Sequence, residues 1–478
     1  MPRPAQHELR KNALGVIDAV MIGVSGTAPA YSIASSIAAL VAVVGIASPG
    51  AILVGAVPMF GIALAFAYLS RWRSDAGASY AWVGRTLSPE LGFLAGWSLL
   101  VASALFAVPA SLPAASSTLA LFAPALAQNV QANALVGAGW FVAVNLLVVL
   151  NIKVTARFQQ TVTAIEVLLL LALGLTVLAR GLAHPVAAFS WAWFAPLPSG
   201  GIGTFIGGMV VAVFLFWGWD VTANLNEETR AGGRTTGLGG IFGMAAILAL
   251  FEFIQVAMQL VLTPKQIGDA GTNLIGAIAG AVLPQPWASL ASLVVIVSVI
   301  GTLETQLIQV GRTLFSMARD RVLAARFGEL HPRFATPWLG TAIVGAIGLV
   351  QFAVAAFSPT VNALMAQLIN AIGLLIAFYY GLSGFACAWY YRGIPLSRPR
   401  DFGLRVAWPG LSAAFLWVVG AVQATQLAWY VDAIPLLGLL LGLVPLAYYR
   451  AKYRSEFYSA ARERSRPDPV LGSDPTAA

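Results

Sequence analysis

Uncharged apolar stretches of ~20 residues and more recur from one end of this chain to the other. Inside lipid, the backbone N–H and C=O groups of such a stretch must all be paired within the protein, and a helix does this within a single segment. A transmembrane β-barrel is excluded, because its strands alternate apolar and polar residues while these runs are continuous. Composition agrees. Of 478 residues, 59% are hydrophobic and 10% charged, against ~45–50% and ~25% in an ordinary soluble domain. The mean hydropathy is +0.82. So little polar surface fits neither a cytosolic enzyme, nor a nucleic-acid binder, nor a secreted disulfide scaffold. The single cysteine, Cys387, forbids an internal disulfide and a multi-cysteine metal site. It lies in an apolar run and reads as a small buried hydrophobe. The first run opens near Ala13 and continues past signal-peptide length into further spans, so no cleavable leader is expected.

Dividing the runs at charges, Pro and Gly predicts an all-α polytopic membrane protein of about twelve spans: 13–44, 50–70, 89–121, 133–151, 158–180, 203–228, 237–262, 286–318, 339–357, 361–390, 407–426 and 430–449. Polar tails of residues 1–12 and 451–478 remain, the second rich in Arg, Ser, Asp and Pro and expected to fray. With the N-terminus placed inside, 25 of the 27 basic residues fall on the inner side, and only Arg180 and Lys265 fall outside. That bias implies an even number of spans with both termini cytoplasmic. The net charge of +8 is therefore a topology signal and a contact for anionic lipid, with no nucleic-acid partner implied.

Two spans carry residues that interrupt a helix. Span 1 contains Gly23-Val24-Ser25-Gly26-Thr27-Ala28-Pro29, and span 6 contains Phe216-Trp217-Gly218-Trp219-Asp220 after four glycines at 201, 203, 207 and 208. One such cluster reads most simply as close helix packing through small residues. Two clusters five spans apart point instead to a binding cavity between two halves of a transporter. The spacing fits two five-helix repeats, 13–180 and 203–390, with spans 11 and 12 (407–449) appended.

At these residues the chain resembles the amino acid–polyamine–organocation permeases, whose fold is a five-plus-five inverted repeat with broken helices 1 and 6. The resemblance rests on the Gly/Ser break of span 1, on Gly218-Trp219-Asp220 followed by Glu227-Glu228, and most specifically on Gly311-Arg312-Thr313-Leu314-Phe315-Ser316-Met317-Ala318-Arg319-Asp320, with His331-Pro332 and Thr336-Pro337 downstream. Ser74-Asp75-Ala76-Gly77-Ala78-Ser79-Tyr80 matches the loop after span 2. Departures occur at Gly311, where Ser is usual, at Arg321, where Gly is usual, and at Ala231-Gly232-Gly233, where Asn-Pro is common. Span 1 also runs from its turn into Ala28-Pro29-Ala30-Tyr31 in place of a further Ile-Gly run.

The resemblance implies a cavity in which the backbone N–H groups of Val24, Ser25, Gly26 and Thr27 hold an α-carboxylate. Carbonyls from Phe216 to Trp219, with Gly218 and Asp220, would hold an α-ammonium, and Phe216, Trp217 and Trp219 would close over it or pack as bulk. It also implies that spans 1, 2, 6 and 7 rock against spans 3, 4, 5 and 8.

Four carboxylates lie within spans: Glu166, Asp220, Glu252 and Glu304. Charges at that depth are costly and usually functional. Glu166 falls in the segment Thr163–Leu169, which resembles the one where many proton-coupled or sodium-independent relatives carry Lys, so it is the candidate for proton coupling; coordination of a cation and a helix–helix hydrogen bond are the other readings. Glu304 and Glu252 are further candidate acids, and Asp220 is also read as a brace for the break. Glu227 and Glu228, with Arg230 and Arg234 nearby, read as gate residues.

His7, His184 and His331 lie in tails or loops, no hydrolase or P-loop motif occurs, and no metal or organic cofactor is implied. A channel or a non-transporting nutrient sensor on the same fold are lesser readings. The expectation is a secondary transporter in the cell membrane, importing amino acids or related amines by alternating access on a transmembrane proton gradient. An exchanger is the alternative.

Overall fold

A computed structural model describes residues 14–150, 155–198, 200–329, 338–425 and 429–459. Residues 1–12, Lys153, His331-Pro332, Thr336-Pro337 and the tail from residue 460 lie outside the described residues. Every regular element among those described is helical, and the one β-type contact is an isolated bridge between Leu14 and Thr229. Ten stretches are long and apolar enough to cross a membrane. The first, Val16–Trp72, has 57 residues, enough for two crossings, and turns at Gly45, where φ is +60°. Resolving it into two, and adding the shorter apolar helix Gly201–Leu215, restores the twelve spans expected.

Span 1 is broken. Its first half is Val16–Thr27, and its second half runs from Pro29 through a π-helical turn, Ile33–Ile37, to Val44. Span 6 is broken between Leu215 and Val221. The other spans are Ser48–Trp72 (span 2), Pro89–Phe122 (3), Val130–Leu150 (4), Thr155–Ala183 (5), Gly233–Gln259 (7), Leu293–Arg319 (8), Trp338–Ala355 (9), Val361–Tyr391 (10), Trp408–Ala424 (11) and the pair Trp429–Leu441 and Leu443–Tyr453 (12). Span 7 packs along spans 2 and 1, and span 6 along span 2 and the second half of span 1. Span 8 packs on spans 3, 4 and 5. Span 5 also reaches across to spans 1 and 7, so it lies at the seam between the two groups.

The two breaks touch directly. A Cβ built on Gly26 would stand 2.3 Å from the Gly218 carbonyl oxygen, and one on Gly218 would stand 2.3 Å from the Gly26 oxygen. Gly218 also has φ +110°, a conformation costly for any residue with a Cβ. Only glycine at both positions permits this backbone-to-backbone approach.

Two segments differ from the sequence-based expectation. The connection between spans 7 and 8 forms two further helices: Pro264–Ala270 packs against the second half of span 1, and Leu274–Val282 against the second half of span 1 and against span 5. The C-terminal segment is not frayed from residue 451. Span 12 continues to Tyr453, and a short helix, Glu456–Ser459, follows. Phe457 is buried there, stacks on Tyr80 with 4.8 Å between centroids, and fills the space beside Gly84. The Ser455 hydroxyl donates to the Asp320 carbonyl, and Arg450 pairs with Glu90. The burial of an aromatic side chain outweighs the polar composition of the segment.

Candidate functional site

Each backbone group freed by the break in span 1 can be followed to a partner. The helix Val16–Thr27 ends at Ala28, which is left-handed (φ +48°), and the Ala28 N–H donates to the Val24 and Ser25 carbonyls at 3.0 and 3.1 Å. The Gly26 carbonyl accepts from Thr302 Oγ1 (3.1 Å), and the Thr27 carbonyl from Ser32 Oγ (2.6 Å). Beyond the break, Pro29 has no N–H. The Ala30 N–H donates to Glu166 Oε1 (2.8 Å), the Tyr31 N–H to Ser298 Oγ (3.0 Å), and the Ser298 hydroxyl in turn to the same Glu166 Oε1 (2.6 Å). Glu166 of span 5 thus caps the second half of span 1, and Ser298 of span 8 completes the cap.

This corrects one expectation. Val24, Ser25, Gly26 and Thr27 form the last turn of a helix, so the groups they free are carbonyls, not N–H donors. The donors belong to Ala30 and Tyr31, and the side chains of Glu166 and Ser298 hold them.

At the break in span 6 the balance is reversed. The Trp217 N–H donates to the Phe214 carbonyl (3.0 Å) and the Val221 N–H to the Gly218 carbonyl (3.3 Å). The carbonyls of Phe216 and Trp217 have no hydrogen-bond partner among the described residues, although both residues are buried. Trp217 is wedged edge-on against Phe106 (5.1 Å), which meets Tyr31 edge-on (5.6 Å). Its indole N–H donates to the Tyr379 hydroxyl (2.7 Å), which donates to Asp220 Oδ2 (2.8 Å). Gln309 Nε2 also donates to Oδ2 (2.9 Å), and Asp220 Oδ1 is buried without a partner. Phe216 packs towards Phe251 of span 7. Trp219 points elsewhere, into a cluster with Phe66 and Tyr380, and so braces spans 2, 6 and 10.

From Asp220 a polar chain leads to the basic face. Gln309 Nε2 also bonds Asn224 Oδ1 (3.1 Å), and Asn224 Nδ2 donates to the Ala76 carbonyl (2.7 Å) and to Thr313 Oγ1 (3.2 Å). The loop after span 2 is locked there. Asp75 accepts from Ser316 (2.7 Å) and Arg319 (3.2 Å), and Arg319 also pairs with Glu227 (3.0 Å). Arg312 grips both oxygens of Glu228, at 2.6 and 3.0 Å. Span 8 therefore supplies an ion-pair partner to each of Glu227 and Glu228. Tyr80 donates to Asp320 Oδ2 (3.0 Å). Burial pushes the Asp320 carboxyl up, and the Asp75 charge adds to the shift, against the Tyr80 bond and the Arg85 and Arg319 charges.

A model of the amino acid permease family matches residues 14–447. The chain belongs to that family. Among its relatives are an uncharacterized transporter of Mycobacterium tuberculosis, 27% identical over 100% of this chain and 98% of the relative, and the low-affinity putrescine importer PlaP of Escherichia coli, 27% identical over 66% and 68%. The branched-chain amino acid permease BcaP of Bacillus subtilis is 26% identical over 93% and 94%. The family is one of permeases, not enzymes.

The remaining acids of this permease lie apart from the breaks' hydrogen bonds. Glu304 is buried on span 8 with Oε1 unpartnered. Gly301 lies beside Ser25 on the same helical face, and Ile308 packs on Ile22 and Val221, so that face meets the first half of span 1. Glu252, on span 7, has both carboxyl oxygens buried without a partner. Sequence reasoning passed over Tyr379, Gln309, Asn224 and Ser298. Each is a polar residue in an apolar span, a signal that was there to read.

Proposed function

We propose that this permease is a secondary active transporter that imports amino acids or related amines across the cell membrane together with protons. Its basic face would be cytoplasmic, and its two halves, 13–180 and 203–390, would be inverted repeats. The observation that carries the reading is Glu166 in the break of span 1, bonded to Ala30 on one side and Ser298 on the other. Oε1 accepts both bonds, which leaves Oε2 to take a proton. Hydrogen bonds to an ionised carboxylate are roughly twice as strong as those to a neutral one. Protonation therefore loosens the tie between the mobile half-helix and spans 5 and 8, and deprotonation restores it. A proton taken at one face and lost at the other would link this tie to the rocking of spans 1, 2, 6 and 7.

The Asp75–Arg319–Glu227 and Arg312–Glu228 pairs would hold the basic face closed, and the chain from Asp220 through Gln309 and Asn224 would connect the break in span 6 to that closure. The test is uptake into proteoliposomes with an alkaline lumen, using labelled amino acids and amines one at a time. Uptake that collapses on adding a protonophore supports the proposal. Uptake that appears only after substrate is preloaded, and ignores the protonophore, would make the protein an exchanger.

A further inference from the structure

Resting on that transport reading, we infer that the ligand of this permease is an amine that carries no carboxylate, and that Glu166 occupies the place an α-carboxylate would take. The second half of span 1 begins with the donors Ala30 and Tyr31, the positive end of a half-helix where an anion binds. Both donors are taken, by Glu166 and by Ser298. An α-carboxylate entering there would meet a like charge and find no free N–H group.

The surroundings on the span 6 side suit a cation. The first half of span 6 ends at the break with its negative pole, and so does the first half of span 1. Among the described residues no hydrogen bond of ordinary geometry reaches the Phe216 or Trp217 carbonyl, and both residues are buried; a buried carbonyl left so is costly unless a ligand or water meets it. Asp220 is buried, and the side chains that meet it, Tyr379, Gln309 and Tyr380, are all neutral. No Lys, Arg or His is in an ion pair with Asp220, Glu166 or Glu304 among the described residues. Trp217, linked through Tyr379 to Asp220, and Phe106, packed edge-on with it, are rings of the kind that hold ammonium groups. Donors are used up at one break and acceptors left over at the other, so the two breaks together are charged for an amine alone.

The experiment measures equilibrium binding to the purified protein for matched ligands: a neutral α-amino acid, its amide, the alkyl monoamine with the same side chain, and a linear diamine. The amines and the amide should bind at least about tenfold more tightly than the zwitterion, a difference of one decade in Kd. Asp220→Asn keeps an oxygen acceptor for Tyr379 and Gln309 while removing the charge, and should weaken amine binding by a similar factor. Glu166→Ala vacates the Ala30 N–H and should narrow the gap between zwitterion and amide, a gain that misfolding cannot produce. A zwitterion that binds as tightly as its amide, or a gap that Glu166→Ala leaves unchanged, would overturn the inference while leaving transport of amino acids intact. Failure of every ligand to bind would instead count against the transport reading itself.

Discussion

Glu166 does at the residue scale what the backbone of span 1 requires, because a broken helix inside lipid must have its freed donors met by some side chain, water or ligand. Gly26 and Gly218 show the same economy from the steric side, each leaving room for the other's carbonyl. Gly218→Ala adds a methyl group 2.3 Å from the Gly26 oxygen at a φ of +110°. It should cost at least about 2 kcal/mol through strain and overpacking, seen as a lower melting temperature of the detergent-solubilised protein. Tyr379→Phe removes the hydroxyl shared by Trp217 and Asp220. It should weaken ligand binding by the worth of one or two buried hydrogen bonds, about 1–3 kcal/mol, while the fold survives. An unchanged affinity would show that Trp217 is held by its ring contacts with Phe106 and Phe214 alone. Glu166 was legible in the sequence as an acid at a telling depth. That its partners are Ala30 and Ser298 was not, because which N–H groups are freed depends on where the helix stops. It stops at Ala28, which Pro29 bars from continuing the helix, but the left-handed conformation that decides which groups are freed is not one that alanine prefers.

At the scale of elements, the interrupted spans were readable because Gly and Pro weaken a helix wherever they stand. The closure of the basic face was only half readable. Glu227 and Glu228 read as gate residues with Arg230 and Arg234 nearby in sequence, but that Arg319 and Arg312 of span 8 reach them is set by packing. Removing that grip should bias the face towards opening. In a Cys387→Ser background, a reporter cysteine at Thr313, buried beside Asn224, should react faster with a thiol reagent once Arg312 is replaced by Gln. Equal rates would mean that Arg312–Glu228 does not hold the face shut. The segment after span 12 offers a second check. Phe457→Ala removes the ring stacked on Tyr80 and should raise amide exchange across Ser455–Ser459, while the spans stay protected. The polar, Arg-rich composition of the tail hid this contact, because one well-placed aromatic ring is enough to dock a short helix.

Over the whole molecule, the twelve spans followed from hydropathy alone, since lipid allows few alternatives to a continuous helix. The division of labour did not, because it is written in packing. Spans 1, 2, 6 and 7 contact one another closely, spans 3, 4 and 8 form the opposing body, and span 5 carries Glu166 at the seam. A seam is where a proton can bias motion, because both bodies meet there and a change in bond strength acts on their relative position. The central claim is therefore that the proton crosses with the substrate and does so through Glu166. The most direct test is substrate-driven proton movement. Proteoliposomes containing a trapped pH-sensitive dye, clamped at zero membrane potential, are given substrate outside. The account predicts acidification of the lumen with the wild-type protein and none with Glu166→Gln, whose amide still accepts from Ala30 and Ser298 but cannot carry the proton. Acidification that persists in Glu166→Gln would contradict it.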